Sequence, residues 1–246
     1  MPTLVRATHR FAAGLTRRRA LELIGGAGVV LPFTGCGSTP TSPTATSAAV
    51  STAAGTASAS SACVASPSET IGPYPSLTRI TRTDVRESRS GTPVTLTITV
   101  RSTTGGCAPI AGATVEIWQC DADGRYSEYT QQGYDGRQDT FLRGNQVTDT
   151  NGTVTFTTIY PGWYAGRATH IHVEVRQNGT AIKVTQIAFP EDVTAAVYAQ
   201  GVYAAKGQNP TTNARDNVFS DGVSNQLASL SGSPISGFTA TYTVGV

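Results

Sequence analysis

The side chains best suited to chemistry in this sequence are also among its rarest. Its three histidines stand at positions 9, 170 and 172, and the last two form His170-Ile171-His172. On an extended strand, residues i and i+2 project from one face, so this triplet sets two imidazoles side by side. Ile171, Val173 and Val175 occupy the opposite face and suit a core. Neutral imidazole is the commonest metal ligand in proteins, but two of them cannot complete a coordination shell. Carboxylates are available at Glu174 and Asp149. Phenols are available at Tyr164, within Pro161-Gly162-Trp163-Tyr164, and at Tyr126, within Gly124-Arg125-Tyr126-Ser127. Taken alone, His-x-His also fits two solvated or hydrogen-bonded histidines. A lone tyrosine is usually a boundary residue with a buried ring and a wet hydroxyl.

A pair of this kind needs a sheet to hold it, and its surroundings read as strands. Val94, Leu96, Ile98 and Val100 alternate with Thr95, Thr97 and Thr99, the period of a half-buried strand. Further strands are predicted over 114–119, over 153–159, through Ile171, Val173 and Val175, over 182–189, and through Phe238, Ala240, Tyr242, Val244 and Val246. Asn151-Gly152 and Asn178-Gly179 lie between strand signals and read as hairpin turns, although each also opens an Asn-Gly-Thr sequon. One short helix is predicted near 191–200, after Pro190. Many short strands with frequent turns predict an all-β fold, an antiparallel β-sandwich of prealbumin or immunoglobulin type with short helical and loop insertions. Loops at one end of a sandwich converge readily into a site.

The 246 residues carry 18 basic and 16 acidic side chains, a net charge of +2. The surplus is local, because residues 1–35 hold Arg6, Arg10, Arg17, Arg18 and Arg19 against the single acid Glu22. The near-neutral remainder lacks the dense basic face that a nucleic-acid partner requires. No apolar run reaches the roughly 18 residues of a membrane-spanning helix.

Thr16-Arg17-Arg18-Arg19-Ala20-Leu21, followed by a Gly-rich apolar stretch from Leu23 to Phe33, has the layout of an export signal over 1–35. It resembles the bacterial twin-arginine type. Its end, Phe33-Thr34-Gly35-Cys36, resembles a lipobox, which would make Cys36 the acylated first residue of a cell-surface lipoprotein and its only link to a membrane. The alternative is secretion with cleavage nearby and Cys36 removed. Residues 36–66 are mostly Ser, Thr, Ala, Pro and Gly. They cannot bury enough apolar area to offset their ordering entropy and read as a flexible spacer, leaving 67–246 as the folded domain. An oxidising location permits one disulfide among Cys63, Cys107 and Cys120. Cys107 and Cys120 flank one predicted strand, roughly 20 Å apart at ~3.3 Å per residue, too far to bond. A pair using Cys63 is therefore expected, with its partner left open.

The order of the remaining motifs is more specific. Pro109-Ile110-Ala111-Gly112-Ala113-Thr114-Val115-Glu116-Ile117-Trp118-Gln119-Cys120-Asp121-Ala122 leads into Gly124-Arg125-Tyr126-Ser127. Phe141-Leu142-Arg143-Gly144, Thr148-Asp149, Gly152 and Phe156-Thr157-Thr158-Ile159 follow. They continue into Pro161-Gly162-Trp163-Tyr164-Ala165-Gly166-Arg167-Ala168-Thr169-His170-Ile171-His172. Over roughly 67–246 this resembles the intradiol ring-cleavage dioxygenases, the group of protocatechuate 3,4- and catechol 1,2-dioxygenases, in their secreted single-chain form. The long N-terminal helical dimerisation region of the catechol enzymes has no counterpart here, and 127–140 is polar and departs from the pattern.

The resemblance implies one Fe(III) per chain, held by Tyr126, Tyr164, His170 and His172. It makes Tyr164 a ligand that also leaves to take a substrate proton, and it places Arg167 beside the substrate and Gln186 near the position of ring cleavage. Gly72, Pro73, Tyr74 and Trp118 are implied as pocket residues. The implied reaction opens a catechol-type diol with O2 to a cis,cis-muconate-type product, with no NADH or flavin. The charges agree: a trivalent ion with two phenolates and a hydroxide sums to zero, and so does the arrangement in which a catechol dianion replaces the hydroxide and one phenolate. No net charge is then trapped in a low dielectric. Two other readings use the same strands: a non-catalytic binding lipoprotein, and a zinc- or serine-dependent hydrolase. The hydrolase lacks a Gly-x-Ser-x-Gly elbow. Oligomeric state is left open.

Overall fold

The computed structural model of the protein describes residues 63–246. The expected export signal, Cys36 and most of the spacer lie outside the described residues. The strands in chain order are β1 (Pro93–Arg101), β2 (Thr114–Trp118), β3 (Thr130–Gln131), β4 (Tyr134–Asp135), β5 (Arg143–Val147), β6 (Thr153–Ile159), β7 (His170–Gln177), β8 (Thr180–Ala188), β9 (Ser229–Ser233) and β10 (Gly237–Gly245). One helix, α1 (Glu191–Tyr198), follows β8. Two four-stranded sheets, β6-β1-β10-β9 and β5-β2-β7-β8, form the sandwich, and β3-β4 is a separate hairpin. The strand pairs are antiparallel except β1 with β10, which run parallel.

Alternation in the sequence becomes two faces in space. Val94, Leu96, Ile98 and Val100 of β1 are buried, as are Val154 and Phe156 of β6 and Phe238, Ala240, Tyr242 and Val244 of β10. The facing sheet supplies Val115, Ile117, Ile171, Val173, Val175 and Ile187 to the same core. Burying a side chain of this size stabilises the fold by about 1.5–3 kcal/mol. The threonines of β1 point outward, where Thr97 and Thr99 meet Thr155 and Thr153 hydroxyl to hydroxyl. The strands β5 and β9, Arg-Gly-Asn-Gln-Val and Ser-Leu-Ser-Gly-Ser, carry no apolar alternation and were not expected. They are edge strands, which pair through backbone and tolerate polar side chains on both faces.

The outer face of β5-β2-β7-β8 is also buried. Register aligns Arg143, Trp118, His172 and Gln186 in one row across four strands, and each is at most 2% exposed. A strap formed by residues 69–82 covers them. Glu69 N–H donates to Val184 O at 2.9 Å, and Gln186 Nε2 donates to Thr70 O at 3.0 Å. Arg143 Nη1 donates to Tyr74 O at 2.8 Å. Farther along, Arg79 pairs with Glu116 at 3.2 Å and with Glu174 at 3.6 Å.

The turns follow local chemistry. Asn178 and Gly179 both have positive φ, +53° and +81°, as the tight β7–β8 hairpin requires. Gly152 has φ +73° and lies against Val100 O, where a Cβ would be 2.6 Å away. In the same turn the Asp149 carboxylate accepts the N–H groups of Asn151 and Thr153. Helix α1 starts after Pro190 with Glu191 and Asp192 in its first turn, where the helix dipole favours acids. It ends at Tyr198, two residues before the expected boundary.

Cys63 is bonded to Cys107, with Cα atoms 5.4 Å apart, and Cys120 is a buried free thiol. Ser66 N–H donates to Gly245 O at 3.1 Å, and Tyr242 Oη donates to Ser66 Oγ at 3.0 Å. Cys63 and Ser66 thus belong to the folded domain, ahead of the boundary expected at 67. The bridge spans a sequence separation of 44 residues, a loop whose closure entropy corresponds to about 4 kcal/mol in the chain-entropy account. Replacing both cysteines by serine should lower the urea midpoint by an amount equivalent to about 2–4 kcal/mol. An unchanged midpoint would show that the bridge does not restrain the unfolded chain.

Candidate metal centre

The two imidazoles open strand β7, and their neighbours fix them before any ligand is considered. His170 Nδ1–H donates to Ala168 O at 2.6 Å, so its Nε2 carries the lone pair. That Nε2 lies 3.1 Å from His172 Nε2. His172 stacks on the Trp118 indole, with ring centroids 4.8 Å apart and planes 3° from parallel. Gly72, with φ +75°, crosses the edge of the same ring, and a Cβ there would come within 2.9 Å of His172 Cε1. Burial holds both imidazoles neutral. It lowers His170 to about 3, helped by the Arg167 guanidinium beside it, and holds His172 well below the usual imidazole range.

The two phenols come from loops that lock together through glycine. Tyr126 lies in the loop after β2, where Asp121 Oδ1 accepts the N–H groups of Asp123 and Arg125 at 3.0 and 2.9 Å. Tyr164 lies in the connection from β6 to β7. Gly162 N–H donates to Asp121 O at 3.2 Å. A Cβ on Gly162 would lie 2.3 Å from Asp121 O, and one on Gly124 would lie 2.1 Å from Trp163 O. Only hydrogen at these two positions lets the loop backbones meet. Lys206 Nζ ties the same loops by donating to Asp123 O and Trp163 O.

The four side chains therefore form a closed ring of neighbours. Centroid distances are 5.7 Å for Tyr126–Tyr164, 5.7 Å for Tyr164–His170, 4.7 Å for His170–His172 and 6.4 Å for Tyr126–His172. Tyr126, His170 and His172 are buried, and Tyr164 is half-buried on the open side. The Tyr126 hydroxyl and His172 Nδ1 are buried without a hydrogen-bond partner. The Tyr126 hydroxyl is near enough to Tyr164 for the two to interact electrostatically but makes no well-formed bond. Burial pushes both phenols above their ordinary range, Tyr126 the more strongly, whereas Arg167 pulls Tyr164 back.

Such a ring suits a hard, highly charged cation. A trivalent ion makes phenolate the stable form, which reverses the effect of burial and gives the Tyr126 oxygen a partner. Among the described residues, no three His, Cys, Asp or Glu side chains cluster as a metal site, so any metal held here needs the phenols. The buried Cys120 belongs to the cluster of Trp118 and Tyr126, and burial pushes its thiol up to about 12; it remains protonated. The carboxylates considered from sequence are used elsewhere. Glu174 bonds Arg176 at 2.8 Å, and Asp149 serves its turn.

Arg167 reaches the ring from the side. Its Nη1 lies 3.4 Å from both Tyr164 Oη and His170 Nε2, and its Nη2 donates to Gln186 Oε1. Its Nε donates to both carboxylate oxygens of Asp216, at 3.0 and 2.9 Å. Tyr74 stacks on Tyr126 at 4.7 Å and meets Tyr164 edge-on at 6.2 Å; the adjacent Pro73 is exposed. Trp118 differs from its expected pocket-lining place. At 1% exposure it is sealed beneath His172 and supports that ring. Gly72 likewise meets His172 closely.

Sequence reasoning assigned no role to Arg143 or Asp216. Arg143 is 2% exposed. It donates to Tyr74 O in the strap and to Ser127 O and Oγ beside Tyr126, joining two walls of the centre. Arg143-Gly144 was visible only as part of a motif, and nothing local in the sequence marks Asp216. The polar segment 127–140 folds as the β3–β4 hairpin, and Glu128 in it accepts the Leu77 and Thr78 N–H groups of the strap.

Comparison with known proteins identifies the family. A family model described as Dioxygenase matches residues 72–218. An intradiol ring-cleavage dioxygenase from Tetranychus urticae superposes with a TM-score of 0.68 at 31% identity, covering 74% of this chain and 94% of its own. Catechol 1,2-dioxygenase of Candida albicans is 35% identical over 97 residues, 32% of this chain and 31% of that protein. The protocatechuate 3,4-dioxygenase beta chain of Burkholderia cepacia is 35% identical over 107 residues, 39% and 45% respectively. The chain thus spans less than half the length of these two curated relatives. With the family match extending over more than half of its residues and a shared backbone besides, this chain belongs to the intradiol ring-cleavage dioxygenase family of oxidoreductases.

Proposed function

We propose that the protein is a non-haem Fe(III) dioxygenase that opens a catechol-type aromatic diol between its two hydroxyl-bearing carbons, using O2 and giving a cis,cis-muconate-type product. The observation that carries this reading is the convergence of two unpaired or weakly paired phenols on two neutral imidazoles that face each other at 3.1 Å. Tyr126, Tyr164, His170 and His172 would hold the ion. Bound there, ferric iron would supply charge to stabilise both phenolates and a Lewis-acid seat for the two diol oxygens.

The chain's own groups divide the remaining work. His170 Nδ1–H is held by Ala168 O and presents its Nε2 lone pair to the centre. Tyr126 is sealed between Tyr74 and the Trp118 cluster and stays in place. Tyr164 is half-buried beside Arg167, so its oxygen can swing aside and hold a proton from the substrate. Arg167 Nη1–H points where negative charge collects on the bound diol, an electrostatic role that preorganised donors perform well in a dry site. Tyr74 narrows the opening and excludes water. We also propose export by the twin-arginine route with a lipid anchor at Cys36. The Cys63–Cys107 bridge supports an oxidising location.

Oxygen uptake with a panel of catechols, with products identified, tests the reaction. Muconate-type products support it. Extradiol products, or no uptake by coloured iron-loaded protein, contradict it, and colourless iron-free protein from iron-rich growth favours a binding module. Tyr164→Phe should change the visible tyrosinate band and lower turnover by about 100-fold or more. Tyr126→Phe should separate function from stability. Removing an unsatisfied buried hydroxyl should leave the metal-free melting free energy within about 1 kcal/mol or raise it, while iron stoichiometry falls. A loss beyond about 2 kcal/mol would mean that the hydroxyl is satisfied without metal.

A further inference from the structure

We infer that Asp216 is a positioning residue, which acts through Arg167 to aim one N–H at the Tyr164–His170 side of the centre. The inference rests on the dioxygenase reading for its chemical purpose, but its geometry stands apart from it. The Asp216 side chain is fully buried and that of Arg167 is 12% exposed. Its carboxylate accepts Arg167 Nε–H through both oxygens, Ala168 N–H at 2.8 Å and Val218 N–H at 2.9 Å. The last bond caps the short 3-10 turn Asn217–Phe219, which fixes the carboxylate itself.

A guanidinium is planar, so two fixed edges orient the third. Asp216 holds the Nε edge, and Gln186 holds Nη2. Gln186 is in turn held by Thr70 O, and Phe219 lies 5.8 Å from the guanidinium carbon. What remains is Nη1, 3.4 Å from Tyr164 Oη and from His170 Nε2. The same carboxylate also anchors Ala168 through its N–H, and the carbonyl on the other side of that residue accepts His170 Nδ1–H. One side chain therefore sets both the donor and the tautomer of a proposed ligand. Because Arg167 is charge-paired with Asp216, it contributes a directed N–H bond more than a free positive charge.

The test has an arm without iron and an arm with it. In the metal-free protein, 15N NMR should show a slowly exchanging Arg167 Nε–H, assigned by its loss in Arg167→Lys. Asp216→Asn should raise its exchange to that of a surface arginine. An unaltered Nε–H signal overturns the proposal. In the iron-loaded protein, Asp216→Asn should keep iron and its visible band, lower kcat by about 10- to 100-fold and change KM little. It should add no further loss to Arg167→Ala. Independent, multiplicative losses would show a merely structural role and overturn the proposal. Should Asp216→Asn fail to fold, Arg167→Lys decides: it keeps a cation opposite Asp216 but carries all its N–H groups on one nitrogen, so it cannot hold Asp216 on one edge and reach the Tyr164–His170 side from another. Its kcat should fall similarly, and an unchanged kcat overturns the proposal. If the native protein turns over no catechol, the dioxygenase reading fails while the NMR arm still judges Asp216.

Discussion

Two neutral imidazoles with their Nε2 atoms 3.1 Å apart are the constraint around which the centre is arranged. His170 has given its only N–H to Ala168 O, so it can only accept at Nε2. His172 Nε2 faces it at 3.1 Å and must either donate there or stand lone pair to lone pair, while Arg167 Nη1 approaches at 3.4 Å and His172 Nδ1 has no partner in either case. A bound cation removes the conflict, because both Nε2 atoms can then present lone pairs to it. The buried Tyr126 hydroxyl fits the same account. An unsatisfied buried hydroxyl costs the metal-free fold stability, and a metal would turn its oxygen into a ligand.

Holding such an arrangement requires rigid surroundings. The row Arg143–Trp118–His172–Gln186 gives the centre a floor whose spacing is set by strand register, not by loops. The phenols do come from loops, but Gly124 and Gly162 bring those loops into backbone contact and Lys206 bonds across them. The strap from 69 to 82 closes the other side, fastened at Gln186, Arg143, Glu128 and Glu116. The disulfide secures the chain just before that strap. Packing, register and site are therefore one structure, and a change in any of them moves a donor atom.

Local signals explain what could be read from sequence. Alternating Val, Leu and Ile with Thr in β1 leaves one solution for its faces, and His170-Ile171-His172 inherits its geometry from the same period. Tyr126 and Tyr164 stood out through their Gly-rich flanks and the order of motifs. Strands β5 and β9 were hidden because edge strands need no apolar code. Asp216 was hidden because a buried carboxylate looks like a surface one until its arginine partner, 49 residues away in sequence, is brought to it. Trp118 was read as pocket wall because a sequence shows an aromatic ring but not which neighbour covers it. Cys63 was expected to pair, but only the fold chose Cys107 over Cys120, which is sealed beside Tyr126.

The central claim is that four side chains from separate segments share one metal ion. Anomalous diffraction across the iron edge, on crystals of protein grown with iron, measures it most directly. The account predicts a single strong peak within bonding distance of Tyr126 Oη, Tyr164 Oη, His170 Nε2 and His172 Nε2. A fully iron-loaded crystal with no peak there, or with a peak that either phenol oxygen points away from, would contradict it.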